Sequence, residues 1–92
     1  MRYVWDPVKD AENRRKHGLS LEDGIDALED LNLQTWTDDR YDYGEVRSAT
    51  VGLGKRGILL VISTLRNEDV TRIISVRKAN ANEHSYYYFG RI

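Results

Sequence analysis

The longest apolar run in the chain, Ile58 to Leu65, has only Ser63 and Thr64 as polar interruptions and is rich in β-branched residues. It is too short for a helix of that hydrophobicity and predicts a strand covered on both faces. Asn67-Glu68-Asp69 breaks the run, and Val70 to Lys78 resumes it with Val70, Ile73, Ile74 and Val76, now interleaved with Arg72, Arg77 and Lys78. The pair reads as a β-hairpin. Upstream, Glu45 to Leu53 is another β-rich run, joined to Ile58 by Gly54-Lys55-Arg56-Gly57. Its flanking glycines suit a tight turn.

The remaining segments follow in order. Tyr3-Val4-Trp5 predicts a short first strand. Asp6 at the N-cap with Pro7 at the first helical position starts a helix that Gly18 stops, after Arg14-Arg15-Lys16-His17. Cations at that end complement the helix dipole, which is a sufficient structural reason for them. Ser20 followed by Asp23 is a capping signature for a second helix to about Asp30, with Leu21, Ile25, Ala27 and Leu28 as its apolar stripe. Leu33 to Thr37 alternates as a strand does, and Asp38 to Gly44 reads as a polar, aromatic-flecked loop. Ala79 to Tyr88 has helical spacing, with Ala79, Glu83 and Tyr87 on one line and Gly90 as the stop. The expected order is strand, two helices, four strands, helix (βααββββα). That is an α+β fold with an antiparallel sheet, residues 1–92 forming a single domain.

The two turns fix a register. With Lys55-Arg56 as a two-residue loop, Gly54 faces Gly57, Arg47 faces Thr64 and Glu45 faces Arg66. With Glu68-Asp69 as the next loop, Thr71, Ser75 and Arg77 fall on that same face. Glu45, Arg47, Thr64, Arg66, Ser75 and Arg77 then converge, unless a one-residue slip sends a strand's set to the other side. One carboxylate among three arginines is an anion-binding site with an acid-base group inside it.

Composition changes this picture modestly. At 92 residues the chain buries one core, and with no cysteine it has neither disulfides nor thiolate chemistry. The two histidines, His17 and His84, lack metal-ligand spacing, and no cofactor is expected. Without a long apolar run or a signal-like segment, the protein is expected to be soluble and cytoplasmic, with no membrane partner. The formal charge of -1 argues against nonspecific affinity for nucleic acid, yet charge is segregated. Residues 1–18 carry five cations and three anions, residues 19–45 one and nine, and residues 46–92 eight and three. Solvated helix faces would explain this, and so would a basic sheet face for a polyanion. Trp5, Trp36 and Phe89 read most simply as core. Tyr86, Tyr87 and Tyr88 cannot all face one way on a helix, so one is left for solvent, a base or a partner.

Three separated blocks, WDPVKDAENRRKHGLSLEDG, EVRSATVGLG and RIISVRKANANEHSYYY, resemble in the right order the BrnT family of type II toxin-antitoxin toxins (the DUF497 group). The second-helix part departs from that pattern in its Gly24 and its two leucines, which concern packing. The resemblance implies a RelE-like fold and ribonuclease activity without a metal. It also implies neutralisation by a BrnA-type ribbon-helix-helix antitoxin in a 2:2 heterotetramer, with operator DNA reached only through that antitoxin.

Metal-free RNA cleavage uses the 2′-hydroxyl as nucleophile and needs a base, an acid for the 5′-oxygen, and cations for the phosphorane. The expected base is Glu45, with Arg47, Arg66 and Arg77 on the phosphate. His17, Lys78 and Tyr87 are the candidate acids, His17 fitting best by its ordinary pKa. Lys16, Thr64, Ser75, Lys78 and Tyr87 are the candidate substrate contacts. The rival readings are a cross-strand ion pair at a sheet end and, for the protein, a binding module whose basic face docks the antitoxin and assists repression.

Overall fold

The computed structural model describes residues 1–90. Gly57–Asn67 forms the central strand, β4, of a five-stranded sheet ordered β1-β5-β4-β3-β2, where β1 is Arg2–Val4, β2 Gln34–Asp38, β3 Arg47–Gly54 and β5 Val70–Lys78. Ile58 to Thr64 are buried on both faces, as the apolar run predicts. Both turns form at the predicted residues, since Gly54 pairs with Gly57 and Asn67 with Val70. The sheet is mixed, correcting the antiparallel expectation. β1 runs parallel to β5, Tyr3 beside Thr71. No hairpin ties these two strands, and the helical connection after β1 leaves it free to take that edge.

Helix α1 (Pro7–His17) starts where the Asp6 carboxylate accepts the Val8 amide, and ends at Gly18 with φ 70. Ser20 and Asp23 form the expected capping box, but the segment is a 3-10 turn (Leu21–Asp23) continued by a short α2 (Gly24–Leu28). These helices cover one sheet face, where Leu19, Leu21, Ala27, Leu59, Val61, Ile73 and Val76 make the larger core. The helical layer sits very close: a Cβ on Gly52 would lie 2.2 Å from the Ala27 carbonyl oxygen.

Beyond β1 the outer edge of β5 has no strand partner among the described residues, and Asn13 takes that role. Its amide nitrogen donates to the Val76 and Leu19 carbonyls, both at 2.8 Å, and its oxygen accepts the Val76 amide at 3.1 Å.

The other face carries a smaller core of Ala49, Leu60 and Ile62, with Trp36 and Ile74 against it. Helix α3 (Ala81–Phe89) covers it, capped by Asn80 and Glu83 and stopped at Gly90. Arg77 grips Glu83 through two hydrogen bonds of 2.8 Å and fixes the helix to β5. No α3 residue is fully buried. Phe89, expected in the core, is 76% exposed because it sits on the last turn, past the end of the helix's packing surface. Tyr88 is the most exposed of the three consecutive tyrosines.

Candidate active site

The β3–β4 register holds as expected, Ser48 pairing with Ser63, so the next step outward sets Arg47 beside Thr64. Thr64 is buried, and its hydroxyl donates to the Val46 carbonyl at 2.8 Å. The β4–β5 register holds near both ends but not between. Ile62 pairs with Ser75 whereas Ser63 pairs with Ile73, leaving Ile74 as an extra residue on β5. A second irregularity between Leu65 and Asn67 leaves Arg66 extra on β4 and restores the phase before the turn.

Between these bulges Arg72, not Arg66, comes to the face occupied by Arg47. It pairs with Thr64, while Thr71 pairs with Leu65 on the opposite face. Glu45 lies in the loop just before β3, and its Oε2 accepts from Arg47 Nε at 3.0 Å and from Arg72 Nη2 at 2.9 Å. The Arg47 hydrogen bond, assisted by the charge of Arg72, outweighs desolvation and holds the Glu45 carboxyl below its usual range. It is therefore ionised at neutral pH. Arg72 Nε is shielded from solvent and bonded to nothing among the described residues.

The loop between β2 and β3 builds one wall. Asp38 pairs in register with Arg47, is buried, and accepts Arg40 Nε at 2.8 Å and Nη2 at 3.1 Å and the Tyr43 hydroxyl at 3.1 Å. The Arg47 guanidinium sits 4.0 Å from the centre of the Tyr43 ring, a cation–π contact. The segregated charge has a physical location as well. Glu22, Asp26 and Glu29 are exposed on the helical side of the sheet, while Arg47 and Arg72 occupy the other side.

Of the residues expected at one site, Glu45, Arg47 and Thr64 come together and the others do not. Arg66, extra at its bulge, makes no ion pair among the described residues and lines a hollow of about 460 Å³ with Arg2, Trp5 and Arg72. Ser75 is one row further along the sheet, opposite Ile62. Arg77 lies four rungs of the ladder from Arg72, about 13 Å along the sheet, and holds Glu83 instead of Glu45. Lys78 is exposed beside it. Lys16 and His17 stand a turn beyond Asn13, which is bound to Val76, so they sit at the Lys78 end of β5 and not at the Arg72 end. Tyr87 is at the Leu53 end of the sheet, where its hydroxyl donates to Asp30 Oδ2 at 2.5 Å. The same carboxylate oxygen accepts the Leu53 amide. The Asp30 hydrogen bond raises the Tyr87 pKa to about 12, so this phenol keeps its proton.

The match that decides the family spans most of the chain: a family model described as the ribonuclease toxin BrnT of type II toxin-antitoxin systems covers residues 5–83. The chain belongs to the BrnT family. Its fold is similar to the crystal structure of the Brucella abortus ribonuclease toxin BrnT, with TM-score 0.58, 23% identity, and coverage of 87% of this chain and 97% of that one. At that identity the likeness is one of fold. A comparison with curated proteins found no match.

In this BrnT-family chain the residue that sequence reasoning missed is Arg72, and a signal for it exists. Ile73 and Val76 are both fully buried in the same core although three positions apart, which a regular strand of period two does not allow. The adjacent pair Ile73-Ile74 marks the bulge, and the bulge puts Arg72 with Thr64. Asp38, Arg40 and Tyr43, read as loop, are the other components left unassigned.

Proposed function

We propose that this protein is an endoribonuclease toxin that cleaves messenger RNA without a metal ion, arresting translation and growth, with Glu45, Arg47 and Arg72 as the catalytic residues. The observation that carries the reading is the ionised Glu45 carboxylate held by two guanidinium groups at the end of the sheet face left open by α3. Each of the three side chains is between 23% and 34% exposed, enough for a phosphate to reach them.

In this reading Glu45 takes the proton of the 2′-hydroxyl through Oε1, which accepts no hydrogen bond from the described residues. The 2′-oxygen bonds to phosphorus, the bond from phosphorus to the 5′-oxygen breaks, and a 2′,3′-cyclic phosphate and a 5′-hydroxyl result. Arg47 and Arg72 meet the phosphorane charge with planar, preorganised donors. The leaving oxygen takes its proton from water, because His17, Lys78 and Tyr87 stand at other ends of the molecule.

The partner in this reading is a BrnA-type ribbon-helix-helix antitoxin, binding 2:2, covering the arginine face and alone contacting operator DNA. The site of action is the cytoplasm. Among the described residues no helix is long and apolar enough to cross a membrane. The test is expression of wild type and Glu45→Gln without antitoxin, with RNA cleavage assayed in a metal chelator. Wild type is expected to arrest growth and cleave RNA in the chelator. Glu45→Gln is expected to remain folded and do neither. A Glu45→Gln protein that cleaves normally would remove the reading.

A further inference from the structure

Trp36 stands two residues before Asp38 on the same face of β2, and it is only partly covered. Its ring meets Tyr86 of α3 edge to face, with centroids 5.0 Å apart and planes inclined by 62°. Beside this pair, rimmed by Asn82 and Glu83, lies a cavity of about 260 Å³. A second cavity of about 230 Å³ shares Trp36 and Glu83 with it and adds Arg40, Arg77 and Asp38. The wall between sheet and helix is rigid, because Glu83 is bound both by Arg77 and by the Asn80 amide.

We infer that the hollow beside the Trp36–Tyr86 pair binds a nucleobase of the RNA substrate, next to the nucleotide whose phosphate sits at Glu45. The inference rests on the ribonuclease reading above. Two aromatic rings opening onto a cavity offer the π-faces on which a base stacks. The Asn82 amide at the rim offers both a donor and an acceptor, which the edge of a base needs. The spacing fits: Trp36 and Asp38 are about 7 Å apart along β2, and Asp38 is in register with Arg47.

The experiment measures binding of the purified protein to two labelled decamers of equal charge. One is a 2′-O-methyl RNA, which has no free 2′-hydroxyl and stays uncleaved. The other is its abasic ribose-phosphate counterpart. Cleavage of unmodified RNA is followed in parallel. Wild type is expected to bind the base-bearing decamer at least about tenfold more tightly. Tyr86→Ala is expected to bring the two affinities together and Tyr86→Phe to keep them apart. Tyr86 is chosen because α3 has no buried residue, so the substitution spares the core. Equal affinities in a wild type that cleaves RNA, or full discrimination by Tyr86→Ala, would overturn the pocket and leave the nuclease reading standing. A wild type that neither cleaves RNA nor binds either decamer would overturn both.

Discussion

Arg72 reaches Glu45 over the width of β4, its Nη2 2.9 Å from Oε2 although 27 positions separate the two in sequence. The contact exists because Ile74 and Arg66 are each one residue too many for a regular ladder, so the three β5 residues between the bulges face opposite to where unbroken alternation from the turn would put them. The candidate site therefore depends on two local irregularities in an otherwise regular hairpin.

Asn13→Ala is expected to lower stability by about 2 to 3 kcal/mol, since it strands the buried amide and carbonyl of Val76 at an edge that no strand covers. Urea unfolding should show a lower midpoint with unchanged slope. Activity per folded molecule should not change, because Asn13 is bound to Val76, four residues along β5 from Arg72.

Gly52→Ala is expected to cost more than Gly24→Ala. The new Cβ at Gly52 meets the backbone of α2 at 2.2 Å, whereas at Gly24 it meets the Val76 side chain at 2.8 Å, which has some freedom to shift. About 3 kcal/mol against about 1 is the expected order, read from the same unfolding curves.

Much of this fold was legible in the sequence because its signals are local. Asp6-Pro7 and Gly18 bound α1, Ser20 and Asp23 form their box, and Lys55-Arg56 and Glu68-Asp69 are the turns. The parallel placement of β1 was not legible, because it is settled by tertiary packing and no turn residue encodes it. The site was half legible. Glu45, Arg47 and Thr64 follow from a clean register, but extending strict alternation through Ile73-Ile74 brought in Arg66 and left out Arg72, while Arg77 lies on the expected face but too far along β5, where it holds Glu83.

Tyr87→Phe is expected to leave RNA cleavage within a fewfold of wild type and to cost about 0.5 to 1.5 kcal/mol, since it removes one hydrogen bond while Asp30 keeps the Leu53 amide. A hundredfold loss of cleavage at unchanged stability would instead make Tyr87 part of the chemistry.

Acid should weaken the protein below about pH 4. Arg40 lowers the Asp38 pKa, and for Glu83 the Arg77 and Asn80 hydrogen bonds outweigh the upward push of burial. A carboxyl with a depressed folded-state pKa adds stability that is complete above its unfolded value, near 4, and is lost as pH falls through the folded value. The urea midpoint should be nearly flat from pH 7 to 5 and then fall. Asp38→Asn should be less stable at pH 7 and show a shallower fall; an unchanged acid limb would contradict the assignment.

The central claim is that Arg72, brought round by the bulge, shares the site with Glu45. Single-turnover RNA cleavage by Arg72→Ala and Arg66→Ala, each checked for folding by thermal denaturation, tests it most directly. The account predicts a loss of about 100- to 1000-fold for Arg72→Ala and a change of a fewfold at most for Arg66→Ala. Full cleavage by a folded Arg72→Ala, or the large loss falling on Arg66→Ala instead, would contradict it.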